Sequence, residues 1–271
     1  MNITKYRHLS LALASSLALA GCFGEEEDNS GSAVSRADLP DVAVSRLGQS
    51  VWPPISLDQD LPFASVGTTP FAENNMIVLD MSGSMGEPDC SGDYANRSEA
   101  AKQALFAWLS ANPGDNVGLV SFSKGNIELN SPLGRGESHS TNVVNSIKSL
   151  EPKDGTPLLS AMTIARDELE KQAARQGGLG AYRMIVITDG EASRGQNPAP
   201  LVREIADNPS NMIELHTIGF CIGGNHALND PGRVFYTSAT SPEDLRAGLD
   251  ATQGEANSFD ASTISFEELS Q

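Results

Sequence analysis

From Asn75 onward, short apolar runs alternate with stretches of helical periodicity, and this alternation constrains the fold more than any other feature. Runs at 76–81, 117–122, 184–187 and 213–220 read as buried strands, with a short last strand at 234–236. Segment 98–112 places Ala101, Leu105, Trp108 and Leu109 on one helical face and stops at Asn112-Pro113-Gly114. Segment 141–150 turns Val143, Val144, Ile147 and Leu150 inward. Segment 157–175 opens on Pro157, carries Leu158, Met162, Ala165 and Leu169 in register, and closes at Gly177-Gly178. Residues 200–207 make a brief helix. The last helix, 241–252, starts from Ser241 with an acid three residues later. Lys124-Gly125 turns the second strand straight into 127–129, which predicts an antiparallel hairpin at a sheet edge. The pattern as a whole predicts an α/β domain with a mostly parallel sheet covered by helices on both faces.

In such sheets ligands sit beyond the carboxyl ends of the strands. The run Ile77-Val78-Leu79 ends there in Asp80-Met81-Ser82-Gly83-Ser84, one carboxylate and two hydroxyls at alternating positions. Oxygen donors gathered at that mouth suit a hard cation; a Ser/Gly turn after a strand is the plainer reading. Two further segments should reach the same mouth. Asp154-Gly155-Thr156-Pro157 offers Thr156, which could equally be only a helix cap. Ile187-Thr188-Asp189-Gly190 offers Asp189, which could equally be only a turn.

Taken together, Asp80-x-Ser82-x-Ser84, Gly155-Thr156-Pro157-Leu158 and Ile187-Thr188-Asp189-Gly190 resemble the von Willebrand factor type A family, whose relatives include integrin I domains. The resemblance covers roughly residues 75–253. It implies a doubly wound sheet with one antiparallel edge strand. It also implies a metal-ion-dependent adhesion site for Mg²⁺ or Mn²⁺. Ser82 and Ser84 would bind the ion through their hydroxyls, and Thr156 directly or through water. Asp80 and Asp189 would hold waters and balance charge. An open coordination position would then take an Asp or Glu from a partner protein. No catalytic residues are expected. Neither a Gly-x-Ser-x-Gly elbow nor a phosphate-cradling Gly-rich loop occurs. A metal-dependent hydrolase would need a general base, for which Glu87 and Asp89 are the nearest candidates, though surface acids are the more economical account of both.

The termini carry other signals. Lys5 and Arg7 precede an apolar run over 9–20, and Leu19-Ala20-Gly21-Cys22 resembles the bacterial lipobox. Residues 1–21 are therefore expected to be an export signal, with Cys22 lipidated and the protein anchored in the cell envelope; a coincidental cysteine is the alternative. Phe23 after that cysteine, by resemblance to the sorting rule of enteric bacteria, favours the outer membrane. Residues 22–32 form an acidic, then Gly/Ser-rich, tether. Residues 33–74 read as a Pro-rich extended arm whose aromatics, Trp52, Phe63 and Phe71, are expected to pack on the main domain, with disorder as the alternative. An acidic tail covers 254–271. A lipoprotein that binds partners through this arm and tail, without metal, is the competing functional reading. Cys90 and Cys221 remain, and an oxidising compartment predicts a disulfide between them rather than two free thiols. The net charge of −17 argues against nucleic acid as a partner. Of the four histidines, His8 falls in the signal, His139 in a loop and His216 in a buried strand. His226 could pair with Cys221 for a soft metal, but one Cys and one His make a poor site.

Overall fold

The computed structural model describes residues 52–53, 71–224 and 226–254. Strand β1 (Glu73–Asp80) runs through the middle of a six-stranded sheet. The others are β2 (Asn116–Ser123), β3 (Asn126–Gly134), β4 (Ala181–Thr188), β5 (Ile213–Phe220) and β6 (Phe235–Ala239), in the order β3-β2-β1-β4-β5-β6. Every ladder is parallel except β2/β3, which is antiparallel at one edge. Five α-helices cover the two faces among the described residues: α1 (Arg97–Ala111), α2 (Glu137–Ser149), α3 (Leu158–Gln176), α4 (Ala199–Ala206) and α5 (Pro242–Ala251). The fold is therefore doubly wound α/β, as the alternation and the hairpin predict.

The central strand reads as an unbroken apolar run because both of its faces are covered. Ile77 and Leu79 enter a core with Leu105 and Trp108 of α1, Ile147 of α2 and Leu249 of α5. Met76 and Val78 enter a second core with Leu158, Met162 and Leu169 of α3 and Val202 of α4. Each such side chain contributes about 1.5–3 kcal/mol when fully buried. The helix ends follow local chemistry. Asn96 caps α1 by accepting from the Glu99 N–H at 3.0 Å. Gly177 ends α3 at φ 63°, a left-handed conformation open to glycine. Ser241 caps α5 by accepting from the Asp244 N–H, and the Asp244 carboxylate accepts from the N–H of Thr240.

Some bounds differ from the sequence reading. Strand β3 continues to Gly134, well past residue 129, because much of it is solvent-facing and so lacks apolar contrast. Helix α2 begins at Glu137 rather than 141, since its first turn, Glu137-Ser138-His139-Ser140, is polar throughout. His139 therefore lies on a helix, not in a loop, with Nε2 2.7 Å from the Val117 carbonyl. β6 spans Phe235–Ala239 rather than 234–236.

Of the arm, Trp52 packs edge-on to Tyr182 with ring centroids 5.1 Å apart, whereas Phe71 is 74% exposed. Phe63, the export signal, Cys22, the tether and the tail beyond Gly254 lie outside the described residues. Among the described residues no helix is long and apolar enough to cross a membrane.

Candidate functional site

The chain leaves β1 toward β2 on one side and fills the other side with β4, β5 and β6. The sheet order thus reverses between β1 and β4, and a crevice opens at the carboxyl ends of that pair. Asp80 ends β1 and Thr188 ends β4; the register that pairs Leu79 with Ile187 sets these two side by side. Asp80 is fully buried. One carboxylate oxygen accepts from the Ser82 N–H at 2.7 Å, and the other from the Thr188 hydroxyl at 2.6 Å. Burial pushes the Asp80 carboxyl up to about 6; the bonds from Ser82 and Thr188 oppose this, and the charge of Asp189 adds to it.

Beyond Asp80 the backbone is fixed on both sides. Met81 donates to the Phe122 carbonyl and accepts from the Lys153 N–H. A single 3-10 turn, Gly83–Gly86, follows and is anchored by the buried side chain of Met85. This turn sets the Ser82 and Ser84 hydroxyl oxygens 3.1 Å apart, and Ser84 donates to Asp189 Oδ1 at 2.7 Å. The structure thereby brings Asp80, Ser82, Ser84 and Asp189 into one bonded cluster. Thr156, 7% exposed, stands in the adjoining loop. That loop is tied to the cluster where Gly83 donates to the Asp154 carbonyl at 2.9 Å. Ser193 holds it from the other side: its hydroxyl accepts from the Thr156 N–H, and its own N–H donates to the Thr156 carbonyl.

Three residues that the sequence reading did not assign to the site also shape it. Arg97, the first residue of α1, donates from Nη1 to Asp189 Oδ2 at 2.8 Å and to the Ser84 carbonyl at 3.3 Å. Its Nε donates to the Asp89 carbonyl, and Nη2 lies 3.5 Å from the Asp89 carboxylate. Asp89 is therefore a solvent-exposed ion-pair partner of Arg97. Thr188 orients Asp80, as described above. His226 accepts from the Leu228 N–H through Nδ1, so Nε2 carries the proton and donates to the Gly190 carbonyl at 2.9 Å. For Arg97 a sequence signal existed: a cation in the first turn opposes the helix dipole and implies a specific anionic partner. For His226 we find none.

Cys90 and Cys221 form a disulfide with Cα atoms 5.7 Å apart, which straps the loop after the 3-10 turn to the end of β5. Cys221 is accordingly unavailable to join His226 in a soft-metal site.

Among the described residues no group of three or more His, Cys, Asp or Glu gathers that could hold a metal. The donors bonded together at this mouth are instead the Ser82 and Ser84 hydroxyls and the Asp80 and Asp189 carboxylates, the latter engaged by Arg97, with Thr156 in the adjoining loop. All are hard oxygens. Adjacent ligands around an octahedral Mg²⁺ with bonds of about 2.1 Å stand about 3.0 Å apart, and the Ser82 and Ser84 hydroxyls meet that spacing. The set fits a small hard cation and does not fit a soft one.

Residues 75–191 match the family model described as von Willebrand factor type A domain. An uncharacterized protein of Borreliella burgdorferi is 26% identical over 144 residues, which are 53% of this chain and 39% of that protein. The chain thus spans well under half the length of that relative. Among solved structures, the conserved hypothetical protein BatB from Bacteroides thetaiotaomicron superposes with a TM-score of 0.52 at 21% identity, over 69% of this chain and 99% of that one. A von Willebrand factor type A protein from Catenulispora acidiphila gives a TM-score of 0.51 at 17% identity, over 68% of this chain and 42% of that one. At these identities the likeness is one of fold. The described domain has the von Willebrand factor type A fold.

Proposed function

We propose that this domain is a non-catalytic protein-binding module that engages its partner at the carboxyl end of the sheet. In this reading Ser82, Ser84 and Thr156 hold Mg²⁺ or Mn²⁺, with Asp80 and Asp189 balancing charge and holding waters. The cation supplies a Lewis-acidic position for an Asp or Glu of the partner protein. The observation that carries the reading is the pair of hydroxyls 3.1 Å apart, with Asp189 bonded to one of them. The test is thermal unfolding after chelation, then with Mg²⁺ or Mn²⁺ restored, for the wild type and Ser82→Ala/Ser84→Ala. We expect ion-dependent stabilisation in the wild type alone; its absence there overturns the cation.

Two observations favour a second reading, in which binding runs through the arm and the acidic tail without metal. Among the described residues no group of three or more His, Cys, Asp or Glu is placed to hold a metal, and Arg97 already neutralises Asp189. Trp52 shows one arm residue seated on the domain. Capture of envelope proteins with Mn²⁺ against chelator separates the two, because the second reading expects equal capture in both and loss only when the arm is deleted. We further propose that Cys22 is lipidated and holds the chain in the cell envelope, at the outer membrane. Cys22→Ser should then move the protein from the membrane to the soluble fraction.

A further inference from the structure

Arg97 makes contacts that capping and helix packing do not require. Its backbone N–H donates to the Glu87 carbonyl at 3.0 Å, and its guanidinium spans the Ser84 carbonyl, the Asp89 carbonyl and Asp189 Oδ2. The Arg97 side chain is 12% exposed and that of Asp189 is fully buried, so this ion pair is little screened by solvent. It also sits where the helix dipole disfavours a cation. Asp189 gives one oxygen to Ser84 and the other to Arg97. Among the buried groups, the carboxylates of Asp80 and Asp189 and the Arg97 guanidinium leave a net charge of about −1 when both acids are ionised. The Asp89 carboxylate, 3.5 Å from Arg97 Nη2, is 72% exposed and screened by solvent.

We propose that Arg97 is the charge-setting residue of this site, weakening its hold on a divalent cation while strengthening the bound cation's hold on an anionic group. The inference rests on the cation reading given above. Without Arg97, two carboxylates would cancel the charge of a divalent ion. With Arg97, the loaded site keeps a net positive charge, at the one place in an acidic protein where an incoming carboxylate must be drawn. The guanidinium also competes with the ion for Asp189. The two consequences have opposite signs, which separates this role from a structural one: a residue that merely shaped the loop would, on removal, weaken both.

The experiment uses the chain with Mn²⁺ as probe, its affinity read by electron paramagnetic resonance. Acetate then serves as the carboxylate, followed by its displacement of Mn²⁺-bound water in proton relaxation. For Arg97→Gln we expect Mn²⁺ to bind on the order of tenfold tighter and acetate on the order of tenfold weaker. Arg97→Lys keeps the charge and should stay near the wild type in both; its circular dichroism and that of Arg97→Gln report folding. If the wild type binds Mn²⁺ but Arg97→Gln weakens both affinities or moves neither, the proposal fails and the cation reading stands. If Arg97→Gln binds Mn²⁺ where the wild type does not, Arg97 excludes the cation, and both the wild-type cation reading and the proposal that rests on it fail. If neither binds, both fail.

Discussion

The two poles of β1 both bury polar side chains, and they do so with different chemistry. At the amino pole the groups are mostly amides. Asn74 and Asn75 are fully buried and Asn116 nearly so. The two N–H groups of the Asn74 amide are shared among three acceptors, the Ala72 and Ala181 carbonyls and Gln176 Oε1, and its oxygen accepts from Asn116 Nδ2 at 2.8 Å. Four elements are sewn together there: β1, β2, the end of α3 and the start of β4. The packing leaves no room for a side chain at Gly180, where a Cβ would stand 2.7 Å from Gln176 Oε1 and 2.8 Å from the Ala72 carbonyl. At the carboxyl pole the groups are carboxylates, hydroxyls and a guanidinium, supplied by turns and loops and strapped by a disulfide. The Asn74 and Asn116 amides join strand ends without adding charge of their own. Carboxylates and hydroxyls around a buried Asp80 leave charge and hard donors concentrated at a crevice. Burial of polar groups is common to both poles, and the amino pole holds charge too, in Arg183 paired with Glu73 and Glu214. Buried carboxylates bonded to hydroxyls, with partners placed on turns and loops, distinguish the candidate site.

The largest expected effect tests the strap. The Cys90–Cys221 bond spans 131 residues, and in the chain-entropy model a closed loop of that size stabilises by about 4–5 kcal/mol. Cys90→Ala/Cys221→Ala should lower the unfolding free energy by about that amount in denaturant titrations, and reductant should affect only the wild type. A loss under about 1 kcal/mol would mean that the carboxyl pole holds its loops by hydrogen bonds alone. Next in size is Asn74→Ala. It strips partners from Gln176 Oε1, the Ala181 carbonyl and Asn116 Nδ2, and should destabilise by about 3 kcal/mol. Any cation response should survive, because the two ends of an eight-residue strand stand about 25 Å apart. A cation response that disappears with Asn74→Ala would end the separation of the poles.

Much of this was legible from the residues. The apolar runs mark β1, β2, β4 and β5 because each is covered on both faces, so no alternation dilutes the signal. Asp80, Ser82 and Ser84 stand out because hydroxyls and an acid directly after such a run have no packing role. Asn74 and Asn75 escape that reading, and residue 74 falls to the arm, although two asparagines opening a buried strand run against β propensity and require dedicated partners. What those partners are depends on Gln176, 102 residues away, and no local pattern carries that. Arg97 has the same limitation. Its unfavourable place at a helix start points to an anion, but the anion is Asp189, at a separation of 92 residues. The first turn of α2 escaped because polar helical turns have no periodicity to detect.

The third prediction sets Asp80 against Asn74. Burial already disfavours the charged form of Asp80, so Asp80→Asn in chelator should be as stable as the wild type, or more so, at neutral pH. A cation at a hundred times its dissociation constant should add about 2.7 kcal/mol to the wild type and nothing to Asp80→Asn, read as a shift in denaturant midpoint. Asn74→Ala should show the opposite pattern, a large loss of stability with the cation increment intact. If Asp80→Asn instead loses several kcal/mol in chelator, the carboxyl pole is a structural network like the amino one, and the cation reading loses its main support.

The smallest effect concerns pH. Asp115 faces the amino pole, where its carboxylate accepts from Asn75 Nδ2 at 2.8 Å and Gln253 Nε2 at 3.3 Å. Burial first, then the charge of Glu73, pushes it up to about 6, against the pull of Gln253, Arg183 and Asn75. In the unfolded chain an Asp titrates near about 3.9. The folded state therefore binds the proton more tightly. The stability this contributes is complete below about 3.9 and is lost as pH rises through about 6. Asp80 in chelator behaves alike, since it too is raised to about 6. Asp115→Asn should remove the amino pole's share of that decline, a change of about 1 kcal/mol or less because the group is partly exposed. Saturating Mg²⁺ should remove only the Asp80 share, since a cation favours the ionised acid. A wild type whose stability between pH 4 and pH 7 responds to neither Asp115→Asn nor Mg²⁺ would show that neither pole holds its carboxyl against ionisation.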